Sequence, residues 1–278
     1  MNENLAPNDI CCISYIAAYI LNVCIIRDNK IPIYSIMSAI NTSKIIKKAE
    51  ENQPEFKKLD NRIKFSFTIT YILLITVISI TFIEALRTKT PYERHILNLE
   101  TCIALISAYF YSVFVDKIVT SEEQMKPTDW EEISQNRYLD WLITSPLLLL
   151  TLCIFFTSED KKPVKLASIL ILVLLTYIIL YIGYSGEIGT MNKYVSFVLG
   201  IFGAIILFYV MYTKYIFPYN KRTNNILFVS FVMISSLYGV AYLFNDEYKN
   251  MANNYLDMFS KVFIGLGFWM RFSNMVAL

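Results

Sequence analysis

Charge is scarce in this chain, and what there is nearly cancels. Only 17% of the 278 residues are charged, and 25 basic residues against 23 acidic ones leave a net charge of +2. A nucleic-acid-binding surface needs a basic excess, and this balance does not supply one. Histidine is almost missing: His95, the one in the chain, sits near a predicted helix start and reads as an interfacial residue rather than a ligand. The five cysteines (Cys11, Cys12, Cys24, Cys102 and Cys153) lie in apolar segments at no metal-ligand spacing. They outline neither a zinc site nor a disulfide framework. What fills the chain instead is apolar: 55% of it is hydrophobic. That is too much for an ordinary soluble domain and points to a polytopic membrane protein.

A bilayer core about 30 Å thick is crossed by about 20 residues of helix. Runs poor in charge fall at 65–83, 97–115, 133–156, 166–186, 194–213, 223–245 and 251–270, with Glu100 interrupting the second and Arg137 and Asp140 the third. The short connections between them favour antiparallel neighbours. The expected fold is an all-α membrane protein, a seven-transmembrane-helix bundle. An additional N-terminal hydrophobic or amphipathic segment precedes it. Residues 10–26 are uncharged, but Glu3 and Asp9 stand before them where a signal peptide has a basic region. An extra membrane helix or an interfacial helix fits at least as well. The chain thus divides into an N-terminal extension (1–61), a seven-helix domain (62–272) and a short tail (273–278).

Basic residues set the orientation. Arg87, Lys89, Arg94, Lys161, Lys162, Lys165, Lys214, Lys221 and Arg222 fall in alternate connections. Asp116, Glu122, Glu123, Asp129, Glu131, Glu132, Asp246 and Glu247 are assigned to the opposite ones. By the positive-inside rule the basic side and the C-terminus face the cytoplasm.

Lys261 lies in the middle of the last apolar run, four residues after Asp257. A lysine at that depth costs about 2.5–3.5 kcal/mol on insertion scales, which makes it a functional hypothesis. The i,i+4 spacing places both side chains on one helix face. One reading is a buried ion pair that fixes helix packing. The other is a lysine carrying a cofactor as a Schiff base, with a carboxylate holding the positive charge. The third run adds weight to the second reading. Arg137, Asp140, Thr144 and Thr151 recur at 3, 4 and 7 residues and form one polar stripe. Such a stripe faces the bundle interior. Pro146 lies in the same helix, where the membrane tolerates it if neighbouring groups satisfy the freed carbonyl.

The sequence Arg137-Tyr138-Leu139-Asp140-Trp141-Leu142-Ile143-Thr144-Ser145-Pro146, together with Asp257-Met258-Phe259-Ser260-Lys261, closely resembles the microbial (type 1) rhodopsins over about residues 62–272. The run 97–112 is similar to the second helix of rhodopsins from large DNA viruses, some of which are similar to light-gated cation channels. The resemblance implies all-trans-retinal bound to Lys261. It makes Asp140 the primary counterion and proton acceptor, Asp257 the second counterion, and Arg137 the holder of an extracellular water cluster. Thr144 would bond Asp140, and Trp141 would pack on the polyene. Tyr238 would support the second carboxylate, and Leu148 would favour green over blue absorption. Tyr242 and Ser260 complete the implied pocket. The chain departs from the pattern of pumps at Thr151, which replaces a proton-donor carboxylate. It also departs at Ser235 and Gly239, where relatives carry tryptophan and often proline. No clear pair of release glutamates appears between the last two helices.

Three functions remain open on these residues. A light-gated cation channel would use Glu93, Asn98, Glu100 and Asn254 along a water path, since clusters of carboxylates select cations. An outward proton pump would use Glu100 in place of the donor missing at Thr151. A photosensor would signal to a partner through the N-terminal segment. The leading expectation is the channel. No transducer, cyclase or kinase domain is recognised, so the photosensor reading needs an unseen partner, and neither enzyme activity nor a metal is expected. The implied partners are the lipid membrane and transported cations or protons, with a homo-oligomer left open.

Overall fold

The computed structural model describes residues 59–158, 166–218 and 221–273. The hydrophobic run 10–26 and most of the short tail lie outside these residues. Eight α-helical elements make up the described chain. They are α1 (Asn61–Arg87), α2 (Pro91–Glu123), α3 (Trp130–Ser158), α4 (Leu166–Glu187), α5 (Lys193–Met211), α6 (Arg222–Tyr242), α7 (Asp246–Asp257) and α8 (Ile264–Phe272). A π-helical turn, Tyr212–Ile216, extends α5, and a second one, Met258–Phe263, joins α7 to α8 with helical backbone throughout. Six of the helices are long and apolar enough to cross a membrane. The seventh crossing is the composite α7–π–α8. At 1.5 Å per residue it is about 40 Å long.

Local chemistry sets the ends. The Asp60 side chain caps α1 by accepting from Arg62 N at 2.9 Å, and Leu59 is already buried, so the bundle begins just before the expected boundary at 62. Pro91 opens α2 at a position where its missing N–H costs nothing. Asn192 caps α5 through Tyr194 N and Val195 N. Gly189, at φ +74°, makes the turn between α4 and α5 that a residue with a Cβ would resist. Asn245 caps α7 by accepting from Tyr248 N, which ends α6 at Tyr242 rather than at 245.

Three groups of acids expected in connections are helical, and one of them, Glu131 and Glu132, falls in the first turn of α3, which starts at Trp130 rather than at 133. Asp116, Glu122 and Glu123 belong to the last turns of α2, which runs eight residues past its expected end at 115. There Lys64 pairs with Glu122 at 2.9 Å and Lys117 with Glu132 at 2.5 Å, so ion pairs carry the helix beyond its apolar core. Asp246 and Glu247 occupy the first turn of α7, where acidic groups complement the helix dipole.

Each helix packs on the next, and α7 returns to α1, closing a ring. Two apolar cores fill it. One, around Phe67, Tyr111, Phe114 and Ile133, lies toward the α2–α3 end. The other, around Ile96, Leu97, Phe156, Met211 and Phe268, seals the opposite end. Large apolar side chains such as Leu174, Phe202, Ile205 and Met233 point outward, as a lipid-facing surface requires. The chain is an integral membrane protein.

Candidate functional site

Between the two cores lies a cavity of about 660 Å³ whose wall includes Lys261, Trp141, Thr144, Leu148, Ser260, Tyr238 and Tyr242. Its walls are mostly apolar, with Phe197, Phe208 and Phe231 among them. Ser235 and Gly239, two positions where the sequence departs from its relatives, line it too.

The Lys261 ammonium donates to Asp140 Oδ2 at 2.6 Å and to Ser107 Oγ at 2.7 Å. It lies farther from Asp257, at 3.6 Å from Oδ1. Asp257 and Lys261 stay within ion-pair distance, as their i,i+4 spacing implies, although a π turn begins at Met258, and the amine lies closer to Asp140 on α3. Ser107 then donates to Asp140 Oδ1 at 2.8 Å, bridging amine and carboxylate. Thr144, expected to bond Asp140, does so through the Asp140 backbone carbonyl, at 2.8 Å. The carboxylate partner is Ser107.

Asp257 is the more heavily bonded acid. It accepts from Tyr238 at 2.6 Å, Tyr111 at 2.8 Å, Arg137 Nη1 at 3.2 Å and Trp141 Nε1 at 3.3 Å. Arg137 also donates to Asn254 Oδ1 at 2.7 Å and Asn250 Oδ1 at 3.2 Å. The rings of Phe67, Tyr111 and Phe114 surround its guanidinium. Every charge here is buried and paired, as a charge taken out of water must be.

The expected ion-path residues do not come together. Asn254 belongs to the Arg137 cluster, where it also donates to Ser66 at 2.9 Å. Asn98 stands exposed on the outer face of α2. Glu93 accepts from Thr88 Oγ1 at 2.7 Å near the helix start. Glu100 points inward, 1% exposed, with no hydrogen-bond partner for either oxygen. Neither Asn98 nor Thr151 bonds it, and the Thr151 hydroxyl donates to Leu147 O.

Sequence reasoning did not single out Ser107 or Tyr111. They were within reach: the face of α2 that holds Glu100 repeats seven residues on at Ser107 and eleven on at Tyr111.

A family model described as bacteriorhodopsin-like protein matches residues 61–273. The chain belongs to the bacteriorhodopsin-like family. Its fold is similar to that of the viral rhodopsin OLPVRII, with 39% identity over 77% of this chain and 99% of that one, at a TM-score of 0.71. More distant structures share the fold. Blue light-absorbing proteorhodopsin from Med12 has 17% identity over 77% of this chain and 98% of its own, at 0.62. Halorhodopsin, a light-driven chloride pump, has 15% identity over 78% and 97%, also at 0.62. Comparison with curated proteins gives no match.

Family membership implies a retinal chromophore, and the residues of this rhodopsin fit one. The cavity reaches a buried amine, its walls are mostly apolar and aromatic, and two carboxylates stand ready to balance a cation at that nitrogen.

Proposed function

We propose that this rhodopsin moves protons outward across the membrane when illuminated, using all-trans-retinal held covalently at Lys261. The group supplies a light-driven change of double-bond geometry when bound. The protein's own residues supply the proton path. Asp140, 2.6 Å from Lys261 Nζ, is placed to take a proton from that nitrogen. Ser107 holds the carboxylate in line, and Asp257 keeps its charge for Arg137. Positive-inside bias puts the α1–α2 end and the C-terminus in the cytoplasm.

The observation that carries the reading is Glu100. It sits nine residues into α2, about 14 Å from the helix start. An ionised carboxylate with no donor near either oxygen would be stranded in an apolar site, so the neutral acid is the form that this site accommodates. A neutral acid on the cytoplasmic side, behind the seal of Ile96, Leu97 and Phe268, is a proton donor for Lys261 Nζ. The channel reading is less favoured, because Glu93, Asn98, Glu100 and Asn254 do not line one path.

Voltage clamp under light tests the proposal. Proton transport gives an outward current that persists at zero voltage with equal ions on both sides. A current that reverses with the cation gradient would restore the channel, and silence with a normal visible band would favour the photosensor. Lys261→Ala should abolish the visible band. Glu100→Gln should slow recovery of the band after a flash, and azide should restore it.

A further inference from the structure

The cavity that reaches Lys261 continues toward the opposite, extracellular end. Its wall steps outward by turns of α3 from Trp141 to Tyr138 to Ser134, and by turns of α7 to Asn253 and Lys249. Glu187, the last residue of α4, completes this end. Lys249 is 4% exposed and donates to Glu187 and, at 2.7 Å, to Asp246 Oδ1. Glu187 is nearly buried, whereas the Asp246 side chain is 57% exposed.

A lysine that only ties α7 to α4 needs one acid. Here two acids hold one lysine, leaving one negative charge in excess. Asn253 Oδ1, buried on the cavity wall, has no hydrogen-bond partner, so an acceptor lies unused beside the same cluster. The cluster is also connected inward. Arg137 donates to Asn250 Oδ1, and Asn250 Nδ2 donates to Asp246 O at 3.0 Å. These bonds tie the Asp257 carboxylate, through Arg137 and Asn250, to the main chain at Asp246, whose side chain shares Lys249 with Glu187.

We infer that Glu187 is the last proton acceptor inside the protein on the extracellular side, with Lys249 as its positioning partner and Asp246 as the group that faces bulk water. This rests on the proton-transport reading above. The proton that Asp140 took from Lys261 Nζ leaves Asp140, passes outward by the Arg137 cluster, binds the Glu187 carboxylate and cancels its charge. Its ionic contact with Lys249 is lost, while Lys249 keeps Asp246. Departure of that proton to water restores the pair. Because Glu187 rests as the salt-bridged carboxylate, it has no proton to give at the start, and release follows the transfer to Asp140 instead of coinciding with it.

Flash photolysis of the retinal-loaded full chain in lipid vesicles, with a pH-indicating dye outside, tests this. Glu187→Gln should keep the visible band and the rate at which it is lost after the flash. Dye-detected release should slow by about 100-fold or more, the range of a positioned acid–base group. Glu187→Asp should recover most of it, and Lys249→Met should slow release without the band shift expected at a counterion. In infrared difference spectra a second protonated-acid carbonyl stretch, besides that of Asp140, should rise before release in the parent protein and be missing in Glu187→Gln. Normal release timing in both Glu187→Gln and Lys249→Met overturns the inference alone. A parent protein that bleaches and recovers with no dye response removes the transport reading and the inference with it.

Discussion

The carboxyl of Glu100 on α2 rests against Gly265 on α8: a Cβ at Gly265 would lie 3.4 Å from Glu100 Oε2 and 3.0 Å from Val77 Cγ1. Three helices meet at this point, since Val77 belongs to α1 and Thr81, one turn further, bonds Thr101 of α2 at 2.8 Å. A methyl at this glycine would touch the carboxyl and crowd Val77.

Gly265→Ala should therefore act on transport more than on colour. The added methyl forces Val77 to give by a few tenths of an ångström and comes into contact with the Glu100 carboxyl, an overpacking cost on the order of 1 kcal/mol. The visible band should stay in place, because the Lys261 cluster is untouched. Recovery of the band after a flash should slow several-fold, measured by transient absorption. Recovery at the parent rate would mean that the Glu100 carboxyl tolerates displacement and is no donor.

Much of the site was legible because membrane helices make polar residues conspicuous. Arg137, Asp140, Asp257 and Lys261 stand out from apolar runs, and all four meet in the bundle. What could not be read was rotation. Glu93, Asn98 and Glu100 lie close in sequence on one helix, yet Asn98 faces outward and Glu100 inward, because packing against α1 and α8 fixes which face is buried. The π turn at Met258–Phe263 was equally hidden, since no propensity marks an i→i+5 turn. Serine and tyrosine are too common in membrane helices to flag Ser107 and Tyr111 on their own. Their roles depend on which helix stands opposite.

Gly186→Ala should destabilise the bundle. A Cβ there would fall 2.5 Å from Ser196 Cβ and overlap the Tyr242 hydroxyl, so α4 could not approach α5 as closely. The expected cost is about 1–3 kcal/mol, the range for overpacking a tight core. It should appear as faster thermal bleaching of the visible band, with a small shift because Tyr242 lines the cavity. Unchanged bleaching kinetics would show that α4 and α5 can part without loss.

Deleting residues 2–57 should leave pigment formation intact. Every side chain placed at the chromophore lies between α2 and the π turn, and Leu59 and Asp60, which seat and cap α1, are retained. Absorption of the inserted, retinal-loaded short chain is the check. Loss of pigment in correctly inserted protein would mean that the N-terminal extension packs into the bundle.

Ser107 and Asp140 can be separated by their effects on the same nitrogen. Asp140→Asn removes the nearest negative charge from Lys261, leaving Asp257 at 3.6 Å. A cation at that nitrogen is then less stabilised, so the visible band should move to the red and outward current should vanish with its acceptor. Ser107→Ala keeps both charges but leaves the amine and Asp140 each one hydrogen bond short. A buried group left unsatisfied costs about 1–3 kcal/mol. The band should shift less than in Asp140→Asn, and transfer to Asp140 should slow because its carboxylate is no longer held in line. If the serine variant shifts the band as far as Asp140→Asn, Ser107 sets the charge balance and not only the geometry. If Asp140→Asn leaves both band and current unchanged, the counterion role passes to Asp257, already bonded to Tyr111, Arg137, Trp141 and Tyr238.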